Sequence, residues 1–140
     1  MLYIIAQTGS GKSAIPLTVG TLLTGVVITL VPMIGLVSVQ VAKSCNAANY
    51  VEVYHVGEHR GKDAAKLRHR LDIMTEQDAD YVTIFLYMSP QSLQTNSPWY
   101  GVLRRIAMKN FIRLICIDEA HIVHQDSCFR PEFDSAVGTL

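Results

Sequence analysis

Short apolar segments alternate along the chain with longer, helix-length segments. The short segments are rich in β-branched and aromatic residues and predict five strands, at residues 2–6, 26–31, 50–56, 81–87 and 111–117. The longer segments predict helices at about 12–23, 33–46, 62–77 and 98–109. Regular alternation of this kind indicates an α/β domain with a mostly parallel sheet between layers of helices.

The thirty residues between Lys12 and Lys43 carry no charge. An uncharged apolar stretch of about 18 residues or more is also typical of a membrane span, so a small membrane protein is a remote alternative. Pro16, Pro32 and several glycines, threonines and serines interrupt the stretch. A helix followed by a strand buried on both faces of a parallel sheet explains it better, and we expect no membrane partner.

Composition and charge narrow the class of protein. The 140 residues are 49% hydrophobic and 17% charged, which is typical of a globular domain. Twelve basic and twelve acidic residues give no net charge, so any phosphate binding must come from local geometry. Three cysteines without a Cys-x-x-Cys pair predict neither a disulfide framework nor a zinc site. The N-terminus lacks the basic start of a secretory signal peptide.

Residues 6–13 read AQTGSGKS and lie between a predicted strand and a predicted helix. This is the Walker A form with Ala6 in place of the first glycine. Gly9 and Gly11 permit the tight turn that aims backbone N–H groups at phosphates, Lys12 neutralises phosphate charge, and Ser13 is a Mg²⁺ ligand. The predicted nucleotide-binding residues are Gln7, Thr8, Gly9, Ser10, Gly11, Lys12 and Ser13.

A second acidic motif follows the last predicted strand. The apolar residues 114–117 end in Asp118-Glu119-Ala120-His121, and ligands bind where the strands of open α/β sheets end. Asp118 is placed to hold Mg²⁺, and Glu119 to polarise the attacking water. We expect His121 to couple the γ-phosphate to the rest of the site. Lys12, Asp118, Glu119 and His121 are therefore the predicted catalytic residues.

Together these motifs resemble those of superfamily-two helicases, and the later residues are similar to the RecQ family. Residues 118–133 read DEAHIVHQDSCFRPEF, whose end resembles the close of the RecQ aromatic-rich loop. TLVPMIGL at 29–36 resembles motif Ia of that family, and YMSPQSL at 87–93 resembles its Y-x-(S/T/A)-P-E-R-L segment. The likeness covers nearly the whole chain in order.

The resemblance implies a RecA-like P-loop NTPase fold and an ATP-dependent 3′-to-5′ DNA helicase. Its cofactors would be ATP and Mg²⁺, and its partner single-stranded or partly duplex DNA. Localisation by analogy is the nucleus in a eukaryote and the cytoplasm otherwise. The residues that the likeness places along the DNA strand are Pro32, Leu36, Ser89, Pro90, Phe129 and Arg130, the last two also reporting DNA to the ATP site.

Departures from the family pattern point to a partial domain. Asp126-Ser127-Cys128 stands where the family has Trp-Gly-His-Asp, and only five residues precede Ala6, where the adenine-recognition segment would lie. We expect residues 1–140 to be an incomplete first RecA-like domain whose second domain is absent or acts in trans. Weak hydrolysis and marginal stability follow from that expectation. A P-loop module that binds nucleotide without hydrolysing it, or a degenerate fragment, remains the alternative.

Three further features have ordinary structural explanations. Residues 55–59 match the H-x-x-E-H zinc-protease signature but lack its helical context, so solvated loop histidines are favoured. Lys62, Lys66 and Arg70 recur on one helix face, as DNA contacts or, preferably, as a solvated surface. Trp99 could stack on a base, but anchoring the start of its helix is the simpler interpretation.

Overall fold

The computed structural model describes residues 14–31 and 50–118 of the chain. Within these residues four strands form one parallel sheet in the order β2-β3-β1-β4, with β1 Gly25–Leu30, β2 Val51–His55, β3 Thr83–Met88 and β4 Ile112–Ile117. The α-helices are α1 Ala14–Leu23, α2 Gly61–Asp72, α3 Glu76–Tyr81 and α4 Tyr100–Met108, and a 3₁₀ helix spans Pro90–Leu93. The prediction of an α/β domain with a parallel sheet is confirmed.

The central strands β1 and β3 are buried along their whole length. Their even-numbered side chains, such as Ile28 and Leu86, pack on one face against α2, α3 and α4. Their odd-numbered side chains, such as Val27 and Phe85, pack on the other face, where Leu17 of α1 joins them. Continuous apolar sequence in these strands therefore reflects burial on both sides, as expected of a covered parallel sheet.

α1 approaches the sheet closely because residue 20 has no side chain. An ideal Cβ on Gly20 would lie 2.8 Å from both the Phe85 ring and a Val27 methyl group. The Gly20 carbonyl also lies 3.5 Å from the Thr83 hydroxyl at the start of β3. The carboxyl-terminal half of α1 thus lies beside the start of the central strands, so the helix begins, at Ala14, toward the opposite edge.

A single residue joins α1 to β1. Thr24 has φ 51° and Gly25 has φ 78°, so the chain reverses through two left-handed residues. This conformation is rare for a β-branched residue such as Thr24. The Gly25 amide then donates to the Val82 carbonyl at 2.8 Å, which fixes β1 against β3 from its first residue.

The helix predicted at 62–77 is two helices, so that prediction is wrong in its length. α2 ends at Asp72, and Thr75 starts α3 with a capping box: its hydroxyl accepts from the Asp78 amide, and its own amide donates to the Asp78 carboxylate. Such a box starts a new helix because it satisfies amides that lack helical partners. Tyr81, predicted as the first residue of a strand, is the last residue of α3.

Polar side chains from α4 hold the end of α2. The Arg105 guanidinium donates to both carboxylate oxygens of Asp72, at 2.6 and 2.8 Å, and this contact holds the pKa of Asp72 below its usual range. The Lys109 ammonium donates to the Asp72 carbonyl at 3.3 Å and to the Met74 carbonyl at 3.5 Å. α4 thereby caps the carbonyl end of α2, where a positive charge is favourable.

Basic side chains of α2 make contacts within the domain. Arg70 is half-buried between Glu52, 3.2 Å away, and Asp78, 3.7 Å away, and the Arg68 guanidinium lies 5.2 Å from the centre of the Trp99 ring. Trp99 is itself buried and begins α4, as the anchoring interpretation predicted. Of the three residues predicted to share one face, Lys66 is 80% exposed, in line with a solvated surface, whereas Arg70 is held by ion pairs within the domain.

Some predicted elements lie outside the described residues, namely the strand at 2–6 and the helix at 33–46. Among the residues that are described, no helix is both long enough and apolar enough to span a bilayer.

Replacing Gly20 by alanine is expected to destabilise the fold by about 1–3 kcal/mol, because the buried Phe85 and Val27 side chains must move. Urea unfolding monitored by circular dichroism measures the change. Gly101→Ala is the matched control, since the nearest atom to a Cβ there is the mobile end of Arg105 at 3.4 Å. Equal stability of the two variants would contradict the close packing of α1.

Candidate functional site

The four parallel strands end at a common edge, which we call the carboxyl edge. Its first residues after the strands are Val31, Val56, Ser89 and Asp118. Three hydrogen bonds extend the ladder there: the Asp118 amide donates to Leu30 at 3.0 Å, Val31 to Met88 at 3.0 Å, and Val56 to Tyr87 at 2.9 Å. Backbone hydrogen bonding thus fixes the main chain of Val31, Val56 and Asp118 at this edge.

Asp118 is the predicted catalytic and Mg²⁺-binding residue that the structure describes. It leaves the apolar strand β4 and is half-buried, and its backbone is tied to β1. Burial raises the pKa of the nearby Cys116 thiol to about 11, and the negative charge of Asp118 adds to that effect. A carboxylate that leaves the end of a strand is a suitable ligand for a hard cation such as Mg²⁺.

Ser89 and Pro90 leave the carboxyl edge from β3. The Ser89 carbonyl accepts from the Ser92 amide at 3.0 Å and so opens the 3₁₀ helix Pro90–Leu93. Pro90 and Leu93 are buried, whereas Ser89 is only partly buried. Pro90 therefore anchors the turn, while Ser89 stays partly exposed beside it.

The strand order places these groups close together. Val31 lies between Ser89 and Asp118, each one strand away, so the two outer residues are about 10 Å apart. Pro32 follows Val31 in the sequence, and Ser13 precedes Ala14, which starts α1 toward the same edge. The structure thus brings together Asp118, Ser89 and Pro90.

The other predicted site residues lie outside the described part of the chain. They are Gln7, Thr8, Gly9, Ser10, Gly11, Lys12 and Ser13 of the Walker A segment, Pro32, Leu36, Glu119, His121, Phe129 and Arg130. Their roles stay predictions.

The sequence analysis missed a row of polar side chains that crosses the sheet one step below the carboxyl edge. His55 is in register with Tyr87, Tyr87 with Thr29, and Thr29 with Cys116. We call these four residues the polar row; they lie on the face that α1 covers, and the first three are at most 6% exposed. His55 is the last residue of its strand, and the other three each lie one position before the end of theirs. A polar residue at or next to the end of an apolar segment was the available signal.

The interpretation of His55 and His59 as solvated loop residues is wrong for His55. His55 ends β2 and is only 4% exposed, because a strand residue on this face points into the sheet packing. Its Nδ1 lies 3.0 Å from Glu58 Oε1, and His59 Nδ1 lies 2.8 Å from the His55 carbonyl. Within the described ranges, no three His, Cys, Asp or Glu side chains are grouped to hold a metal ion.

A shallow depression of about 180 Å³ lies at the opposite edge, where the strands begin. Glu76, Asp80, Lys109 and Arg113 contribute its charged groups. Asp80 and Arg113 already approach each other there, at 3.7 Å. We therefore assign the functional site to the carboxyl edge, where Asp118, Ser89 and Pro90 lie.

Cys116 is expected to react slowly in the folded protein, because its pKa rises from 9.0 to about 11. In a Cys45→Ser, Cys128→Ser background at pH 8.5, iodoacetamide should modify the native thiol at least about tenfold more slowly than the unfolded one. Because the folded state binds this proton more tightly, stability present below pH 9 should decline between pH 9 and 11. Equal rates in both states would contradict the burial of Cys116.

One protein-family model matches the chain over residues 1–140, that of the DEAD/DEAH box helicases. Because the match spans the whole chain, the chain belongs to this family. The four-stranded parallel sheet between helices is consistent with the RecA-like domain of such helicases. No curated protein matches the chain.

Proposed function

We propose that this member of the DEAD/DEAH box helicase family is the ATP-binding part of a RecQ-like 3′-to-5′ DNA helicase. It binds MgATP and single-stranded DNA at the carboxyl edge and couples ATP hydrolysis to movement along the strand. Family membership supports an ATP-binding, ATP-hydrolysing helicase function in general. FRPEF at 129–133 and YMSPQSL at 87–93 support the RecQ-like assignment.

The observation that carries the proposal is the shared edge of Asp118, Val31 and Ser89. Hydrogen bonds from Asp118 to Leu30 and from Val31 to Met88 align the ends of three adjacent strands. One end carries the acidic motif, and the other two carry the segments that resemble the DNA-contacting motifs. Asp118, the proposed Mg²⁺ ligand, and Ser89, the proposed phosphate contact, thus follow strands that belong to one hydrogen-bonded ladder.

The nucleotide would be held from two sides of this edge. Lys12 and Ser13 precede α1, which starts toward the carboxyl edge, and Asp118 supplies a carboxylate from a backbone position that is hydrogen-bonded to β1. The donor set of one hydroxyl and one carboxylate fits Mg²⁺, which prefers oxygen ligands. When bound with ATP, Mg²⁺ neutralises charge on the phosphates. Lys12 binds the same phosphates, and Glu119 accepts the proton of the attacking water.

The DNA strand would follow the ends of β1 and β3. The Ser89 hydroxyl donates to a phosphate oxygen, a kind of contact that positions a strand without reading its bases. The resemblance assigns further contacts with the strand to Pro32, Leu36, Phe129 and Arg130. His121 would link these contacts to the γ-phosphate.

Lys12→Ala should abolish the stabilisation that MgATP gives the folded chain. A ligand that binds only the folded state stabilises it by about 2.7 kcal/mol at a hundredfold excess over its dissociation constant. Thermal unfolding with and without MgATP measures the shift, and Asp118→Asn should lose the part that depends on Mg²⁺. A shift that persists in Lys12→Ala would contradict the phosphate site.

Hydrolysis assayed with single-stranded DNA separates the proposal from its alternative. Phosphate release that DNA stimulates and Glu119→Gln removes is expected of a helicase domain. A normal MgATP shift without turnover would favour a nucleotide-binding module that does not hydrolyse.

Ser89→Ala should weaken binding of single-stranded DNA about three- to tenfold, because one donor to a charged phosphate is lost. The loss should be equal for oligo(dT) and oligo(dC), since backbone contacts carry no sequence information. Fluorescence anisotropy at fixed salt measures both. Thr95→Ala, which removes an exposed hydroxyl from the same loop, is the control. An equal loss in both variants would contradict a specific contact at Ser89.

A further inference from the structure

We infer that His55 and Glu58 form a pH-sensitive charge latch at the carboxyl edge, which strengthens binding of a nucleic-acid phosphate backbone when His55 is protonated. The inference rests on the proposed function for its readout in DNA binding. The latch itself is a feature of the turn that follows β2.

The His55 imidazole is buried and only partly satisfied. Its side chain is 4% exposed, and Nδ1 is fully buried without a partner at hydrogen-bonding geometry. Glu58 Oε1 nevertheless lies 3.0 Å from that nitrogen. A buried polar atom without a good hydrogen bond is costly, and a small movement of the Glu58 side chain would complete this one.

The backbone of residues 56–59 holds the turn over the ring. The Glu58 amide donates to the His55 carbonyl at 3.1 Å, and His59 Nδ1 lies 2.8 Å from the same oxygen. Gly57 passes so close that a Cβ there would lie 3.2 Å from His55 Nε2. The ring is thereby confined, while the Glu58 side chain is 64% exposed and free to move.

The charged groups around His55 determine whether its protonation strengthens or weakens phosphate binding. Among the described residues, Glu58 faces the ring from the turn, Tyr87 faces it from β3 as the register partner, and His59 reaches its carbonyl. Glu58 is the group of opposite charge that meets a protonated imidazole. Protonation of His55 therefore pairs the carboxylate, and loss of the proton leaves Glu58 as an unpaired surface anion.

The position of the turn connects this charge to the DNA strand. The Val56 amide donates to the Tyr87 carbonyl at 2.9 Å, so the turn leaves the sheet beside Ser89, the proposed phosphate contact. An unpaired carboxylate within a Debye length of a phosphate repels it, and a paired one does not. Binding should therefore strengthen as the pH falls through the range in which histidines titrate.

Nuclear magnetic resonance of the histidine rings tests the latch without any ligand. The signals of His55 are followed from pH 8 to 5.5 in the 140-residue chain and in Glu58→Gln. At pH 5.5 the Nδ1 signal of the unaltered chain should carry the downfield shift of a hydrogen bond to a carboxylate, and Glu58→Gln should lose that shift. Identical Nδ1 signals in the two proteins would overturn the latch.

Anisotropy of labelled oligo(dT) at constant ionic strength tests its consequence. We expect affinity to rise about threefold between pH 7.5 and 6, and Glu58→Gln to bind at pH 7.5 as the unaltered chain does at pH 6. Glu76→Gln removes an exposed carboxylate at the opposite edge and should leave the pH dependence unchanged.

The outcomes separate the latch from the function on which it rests. No DNA binding at any pH would overturn both the proposed DNA track and this inference. Binding with the same pH dependence in Glu58→Gln and the unaltered chain would overturn the inference alone. A loss of pH dependence in Glu76→Gln as well would attribute the effect to general charge and overturn the latch.

Discussion

The burial of β1 and β3 on both faces is the constraint on which the rest of the structure depends. Side chains such as Ile28 and Leu86 require one layer of helices, and Val27 and Phe85 require another. Because a buried strand must pair every backbone group, both strands need a neighbour on each side, which β2 and β4 supply. The central position of β1 and β3 in the sheet follows from this requirement.

The change from apolar to polar residues after β3 and β4 has the same origin. Side chains can become polar only where the two helix layers and the ladder end, so Ser89 and Asp118 lie just beyond their strands. The polar row beneath them is an exception, since Thr29 and His55 are polar and yet buried. Buried polar groups of this kind carry a cost that function, rather than packing, commonly explains.

The fold was largely predictable, because apolar strands and helix-length segments alternate in the sequence itself. All four described strands were predicted to within three residues at each end, and β4 was placed correctly before Asp118. The break between α2 and α3 was not predicted, because an aspartate replaces the usual glutamate or glutamine in the capping box at Thr75. The local hydrogen bonds of Asp78 are visible only in three dimensions.

The candidate site was predictable in part. The acidic motif after β4 and the turn after β3 identified Asp118 and Ser89, whose meeting at one edge follows from the parallel topology. The polar row and the burial of His55 depend on the register between strands. Register is set by packing on both faces, and a strand that is apolar throughout gives no pattern from which to infer it.

The one-residue connection at Thr24 couples the movement of α1 to that of β1. One residue spans at most about 3.5 Å, so the helix cannot slide or turn without moving the strand to which it is joined. The far ends of both elements, Ala14 and Leu30, lie toward the carboxyl edge. A displacement at the start of α1 is therefore transmitted through the opposite edge of the sheet and returns along β1 to the end of that strand.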